Sequence, residues 1–217
     1  MISAHMIMAV LALTVAPGSS ATDSREAVNA EHNKPVIRGG LVYKTYCMPC
    51  HGDTGNGVMR GSQLYGAFNL TIKPAAPARH EQIVRSGGKT LGKSAYMPAW
   101  QGTLSDEQIT DVVEYLGTLG SAESRGQVVF KTNCILCHGV NGDGNGRAAR
   151  MLTPPPANLT RSDKNDAYKE MIITLGGGAM GRSPRMPVWG EQLSRQEIID
   201  VVAYLRTILV VPATWGF

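Results

Sequence analysis

Two five-residue stretches, Cys47-Met48-Pro49-Cys50-His51 and Cys134-Ile135-Leu136-Cys137-His138, contain every cysteine of the chain. Their spacing is identical and their surroundings also match, so the sequence repeats itself. At an offset of 87, Arg38-Gly39 falls on Arg125-Gly126 and Val42-Tyr43-Lys44-Thr45 on Val129-Phe130-Lys131-Thr132. Beyond the histidine the offset is 89, because two residues were added in a Gly-rich loop. Asn69-Leu70-Thr71 then meets Asn158-Leu159-Thr160, and Met97-Pro98 with Trp100 meets Met186-Pro187 with Trp189. A chain of 217 residues suits two domains of about 100 each. The repeat places them at 38–120 and 121–210, joined by a short link at Gly120-Ser121-Ala122 and flanked by a polar linker over 22–37 and a tail over 211–217.

Working outward from the motifs, the pattern is helical throughout and predicts an all-α fold of two tandem domains. Val36 to Tyr46 and Arg125 to Asn133 carry apolar residues at helical spacing ahead of each motif. Ser105 with Gln108 and Ser194 with Glu197 form capping boxes that start a closing helix in each repeat. Behind them Ile109, Val112, Val113, Leu116 and Leu119, and likewise Ile198, Val201, Val202, Leu205 and Ile208, make one buried stripe. A third helix is expected over His80 to Arg85 and Ala167 to Leu175, each ended by a glycine run that acts as a C-cap rather than a phosphate cradle.

Cys-x-x-Cys-His is the attachment signal for haem c, in which two thiols three positions apart reach the vinyl groups on one edge of a haem and the adjacent His turns its imidazole onto the iron. Two haems are therefore expected, held through Cys47 and Cys50 with His51, and through Cys134 and Cys137 with His138. Aromatic residues make up only 6% of the chain, and a bound macrocycle would fill the interior that small domains otherwise lack. Zinc knuckles and thiol-disulfide centres also use Cys-x-x-Cys. A single zinc site would not account for a His after each pair, and a thioredoxin-like centre expects a βαβ context that this pattern does not offer.

The sixth iron ligand is chosen by the repeat. Met97 alone has a methionine counterpart, Met186, whereas Met59, Met151, Met171 and Met180 face Ala148, Ser62, Gln82 and Leu91 and are expected to fill core space. His80 maps onto Lys169 and is expected to be an exposed helix residue. Asp143-Gly144-Asn145-Gly146 begins like a calcium loop but lacks the closing bidentate acid, so a turn is expected.

With these residues in place the chain resembles the class I cytochromes c, particularly the dihaem proteins and dihaem subunits of terminal oxidases, from Arg38 to Ile208. The resemblance implies that first and last helices cross, with Gly39, Tyr43 and Tyr115 building the crossing in the first domain and Gly126, Phe130 and Tyr204 in the second. It also implies a proline-bearing loop whose carbonyl orients the axial imidazole. Pro154-Pro155-Pro156 matches that loop, while Tyr65-Gly66-Ala67 departs from it, which implies a less rigid His51 and two haems of different potential. Trp100 and Trp189 are similar to residues that donate to a haem propionate, with packing against the ring as the alternative.

The apolar run from Met6 to Ala16 is shorter than the ~20 residues that span a bilayer. Followed by Ser19-Ser20-Ala21, it reads as an export signal over 1–21 and points to a periplasmic or otherwise exported protein, tethered to the membrane if the signal is retained. The net charge of +4 is spread as −1 over 22–37, +2 over 38–120 and +3 over 121–217, without the basic stripe of a nucleic-acid binder. Two irons each closed by His and Met leave no position for a substrate, so the expected function is single-electron transfer between redox protein partners, a respiratory donor and a terminal oxidase or reductase. Lys89, Lys93, Arg182 and Arg185 are the candidate basic ring that meets an acidic partner. A peroxidase-like dihaem enzyme and a fixed subunit of a membrane respiratory complex are the alternatives.

Overall fold

The computed structural model describes residues 20–57, 65–71 and 76–210. The leader expected over 1–21 lies almost wholly outside them, as do Met59 and the tail over 211–217. Among the described residues there are helices and turns and no strand, only an isolated bridge between Gln101 and Leu104.

Helix α1 spans Ser20–His32, where a polar linker was expected. The segment has too few apolar residues to show a stripe. It is held instead by Val28, which is buried in the second domain's core, and by its last turn. Helix α2, Pro35–Val42, begins on a proline, whose fixed φ and missing N–H suit the first helical position. It runs into a π-helical turn, Tyr43–Cys47, and a short turn, Met48–His51, which delivers the motif. Helices α3 (Pro77–Ser86) and α4 (Asp106–Leu116) complete the first repeat. The second runs through α5 (Ala122–Asn133), the motif turn Ile135–His138, α6 (Asp166–Ala179) and α7 (Arg195–Thr207). Both capping boxes are formed, Gln108 N to Ser105 Oγ at 3.2 Å and Glu197 N to Ser194 Oγ at 3.2 Å, with the return bonds at 2.9 and 2.8 Å.

The crossings implied by the resemblance are present. A Cβ on Gly39 would stand 1.9 Å from the Asp111 carbonyl oxygen, and one on Gly126 at 1.9 Å from that of Asp200, so only glycine lets α2 meet α4 and α5 meet α7 this closely. Beside each glycine the aromatic pairs lie with ring centroids 5.1 Å apart for Tyr43 and Tyr115 and 5.4 Å apart for Phe130 and Tyr204. Ion pairs flank the glycines. Arg38 grips Asp111 through Nε at 2.7 Å and Nη2 at 2.8 Å, and Arg125 grips Asp200 at the same two distances.

Each repeat has its own apolar core, and each core receives a visitor. Val128 of α5 joins the first, against Gly40 and Tyr115, and Val28 of α1 joins the second. Lys44 reaches across to Glu197 at 2.8 Å. Three expectations are corrected. Met151 and Met171 are exposed rather than buried in either apolar core. His80 is half-buried, which pushes its pKa down. The polar linker expected over 22–37 is largely helix α1.

Candidate haem centres

The four expected residues of each centre arrive by the same route. The thiols stand three positions apart on a helical turn that follows the buried crossing, Cys47 and Cys50 in one repeat and Cys134 and Cys137 in the other, and none is in a disulfide. Burial pushes the Cys47 and Cys134 thiols up to about 12. A thiol-disulfide centre needs the opposite shift, toward an accessible thiolate. Among the described residues no three His, Cys, Asp or Glu side chains gather into a metal-binding group, so the four thiols do not pool into a zinc site.

Each motif histidine is oriented from behind. His51 Nδ1 donates to the Phe68 carbonyl at 3.2 Å and His138 Nδ1 donates to the Ala157 carbonyl at 3.0 Å. Phe68 and Ala157 are counterparts in the repeat, so the first copy supplies the carbonyl without prolines in its loop. A proton fixed on Nδ1 leaves the Nε2 lone pair free to ligate. Desolvation lowers both imidazole pKa values, with the carbonyl bond pulling the other way, and favours the neutral ring.

The methionines are seated by glycines whose part the sequence pattern showed only as helix ends. Gly87 and Gly176, at φ 75° and 77°, turn the chain out of α3 and break α6. The next residues hold the methionine backbone: Gly88 N–H donates to the Met97 carbonyl at 2.9 Å and Gly177 N–H to the Met186 carbonyl at 3.1 Å. A Cβ on Gly88 would meet Ser94 O at 2.1 Å, and one on Gly177 would meet Ser183 O at 2.1 Å. In the first repeat the His-side and Met-side loops also touch. Ser94 Oγ donates to Tyr65 O at 2.8 Å, and the Tyr65 and Tyr96 rings lie 5.1 Å apart.

These residues fit a haem. Phe68, Tyr96, Leu136, Met151, Leu175 and Val188 leave large apolar surface exposed on the elements that carry the motif and ligand loops, which is the kind of surface a macrocycle covers. Trp100 and Trp189 pack against the two cores, and Trp100 also meets Tyr46 edge-on at 5.4 Å. Asp143 Oδ1 accepts from Asn145 N at 3.1 Å, a local turn in place of a calcium loop.

A helical scaffold used twice, each copy presenting Cys-x-x-Cys-His and a glycine-seated methionine, defines a tandem c-type cytochrome. The family model described as "Cytochrome c" matches residues 123–209, and that described as "Cytochrome C oxidase, cbb3-type, subunit III" matches 35–116. The chain belongs to the class I cytochromes c as a dihaem member and carries two covalently bound haem c groups. Among similar proteins, the Cbb3-type cytochrome c oxidase subunit FixP of Azorhizobium caulinodans is 29% identical over 184 residues, covering 78% of this chain and 58% of the relative. The FixP subunit of Bradyrhizobium diazoefficiens is 25% identical over 79% of this chain and 60% of its own length. The Cytochrome bc1 complex cytochrome c subunit of Mycobacterium leprae is 26% identical, covering 94% of this chain and 73% of its own. The chain thus spans about three fifths of the length of the two cbb3 relatives.

Proposed function

We propose that this chain is an exported one-electron carrier that works within a respiratory chain and is not itself an enzyme. The observation that carries the reading is the equal seating of Met97 and Met186. Each methionine backbone is clamped by a glycine N–H on a matching scaffold, and each motif histidine is held by a loop carbonyl. Cys47, Cys50, Cys134 and Cys137 would form the thioether attachments, and His51 with Met97 and His138 with Met186 would ligate the two irons.

Bound haem supplies the ferrous–ferric couple, and thioether ligation raises its potential relative to bis-histidine ligation. The chain's own residues do the rest. Phe68 and Ala157 carbonyls hold the imidazoles in one tautomer, and Gly88 and Gly177 keep the methionines in place. A haem held by these residues would offer no iron position to a substrate and would exchange electrons through its exposed edge. Lys89, Lys93, Arg182 and Arg185 are exposed, although Arg182 Nε also donates to Tyr168 Oη, and they suit an acidic partner surface.

The names of the relatives support a second reading, a fixed subunit of an oxidase or bc1-type complex. No helix among the described residues is long and apolar enough to cross a membrane. Sequencing the mature N-terminus separates a released carrier from one tethered by its leader. A redox titration of the matured protein, followed by visible spectroscopy, tests the central claim. Two methionine-ligated haems are expected, and prompt, complete carbon monoxide binding to one reduced haem would favour an enzyme instead.

A further inference from the structure

The repeat puts a lysine three residues ahead of each first motif cysteine, Lys44 before Cys47 and Lys131 before Cys134. Both lysines pair with a carboxylate outside their own repeat. Lys44 Nζ lies 2.8 Å from Glu197 Oε1 on α7, while Lys131 Nζ lies 3.5 Å from Glu31 Oε2 on α1. Helix α1 precedes the first repeat and is joined to it through Asn33 and Lys34 alone, yet it packs on the second. Val28 is 4% exposed within the second core, and His32 Nε2 lies 2.9 Å from the Lys131 carbonyl oxygen.

The same C-terminal end of α1 leads straight into the first repeat. Lys34 pairs with Glu31 at 2.7 Å, and the Arg38 guanidinium of α2 bonds the Asn33 carbonyl. The repeat also explains why α1 is needed. Glu197, which serves Lys44, has Gln108 as its counterpart, a neutral side chain that offers Lys131 no charge. We propose that α1 is an intramolecular strap, which fills the surface beside Lys131 with Glu31 and Val28 and thereby holds the two haem domains as one body.

The contact is well sheltered, with the Lys131 and Glu31 side chains 9% and 13% exposed, so separating them strands a charge in a poorly hydrated place. Burial lowers the Lys131 pKa and Glu31 opposes that fall, which is the electrostatic sign of a socket that needs its acid. Lys131 Nζ also donates to the Val140 carbonyl at 2.8 Å, two residues beyond His138, so the strap's anchor steadies the loop that leaves the second motif. With Val128 docked on Gly40 from the other side, the spacing of the two haem domains is fixed rather than set by a loose link.

The test uses the full-length protein with both haems. Glu31→Lys and Val28→Asp are made separately, and Asp163→Lys, the same charge reversal on an exposed side chain ahead of α6, is the control. In the two strap variants, proteolysis within 20–34 is expected to be on the order of tenfold faster than in the parent. Small-angle scattering is expected to show a larger radius of gyration, and haem content is expected to stay at two. The control keeps the parent's protection and radius. If both variants keep them too, the strap does not exist. If either variant loses the second haem, α1 is an integral part of that domain's fold and the proposal is equally wrong. Neither failure bears on whether the irons carry electrons.

Discussion

In the first repeat Arg38 divides its guanidinium between Asp111 and the exposed Glu107, and its side chain is 34% exposed. In the second repeat Arg125 holds Asp200 with the same two bonds and gives its remaining nitrogen to the Leu119 carbonyl, as Arg38 does to the Asn33 carbonyl, but it has no second acid and only 11% of its side chain is exposed. The two pairs occupy equivalent positions, so the difference comes from what lies on top of them. Arg125 faces the other domain, among Gly40, Tyr43 and Tyr115, whereas Arg38 faces outward. One sequence plan thus yields a sheltered electrostatic clamp in one copy and a wetter one in the other.

The largest effects should ignore that difference, because they act where the copies are alike. Gly39→Ala and Gly126→Ala each drive a Cβ into a helix backbone at 1.9 Å, which no rotamer change relieves. Each should leave one of the two domains unable to close around its haem, and pyridine haemochrome assay should return one haem per chain instead of two. A full complement in either variant would mean that the crossing can open without losing the centre.

The second prediction separates the copies. Asp200→Asn leaves Arg125 without its partner in a place with little water and should cost about 3 kcal/mol or more in denaturant unfolding of the holoprotein. Asp111→Asn should cost clearly less, since Arg38 keeps Glu107 and solvent. Equal losses would show that domain contact does not change the worth of the clamp. A third comparison is smaller. Ser194→Ala and Ser105→Ala should each remove about 1 kcal/mol as lost N-caps. Ser194→Ala should be the worse of the two, because Glu197 answers both to the cap and to Lys44.

Much of this architecture was readable from the residues because it is repeated. The paired motifs, Met97 with Met186, and the capping boxes all stood in register, and register is independent of how the chain folds. Arg38 with Arg125 and Asp111 with Asp200 also stood in register, yet their pairing stayed invisible: a salt bridge across 73 residues leaves no local periodicity. Helix α1 has no repeat partner and only a short apolar face, so its polar composition read as linker until Val28 and Glu31 were seen against the second domain. Met151 and Met171 were misplaced for a related reason, since hydrophobicity says that a side chain can be buried and not whether the protein around it buries it.

The smallest expected effect concerns the loop behind each axial histidine. The second copy has Pro156 directly before Ala157, the residue whose carbonyl accepts the His138 Nδ1–H bond at 3.0 Å, while the first has Ala67 before Phe68 and a longer bond of 3.2 Å to His51. Both carbonyls reach their imidazoles, so the prolines are not what makes the bond possible. Their contribution is to restrict the unfolded loop, which for a proline at a compatible backbone position is worth about 0.4–1 kcal/mol. Pro156→Ala should therefore lower the stability of the second domain by about that amount while leaving the His138 bond and the iron ligation intact. Denaturant unfolding beside a redox titration would check both halves of the expectation. An unchanged midpoint with a displaced potential for the second haem would show that the proline acts on the imidazole after all, and that the two copies differ in how they hold iron rather than only in how firmly they hold themselves together.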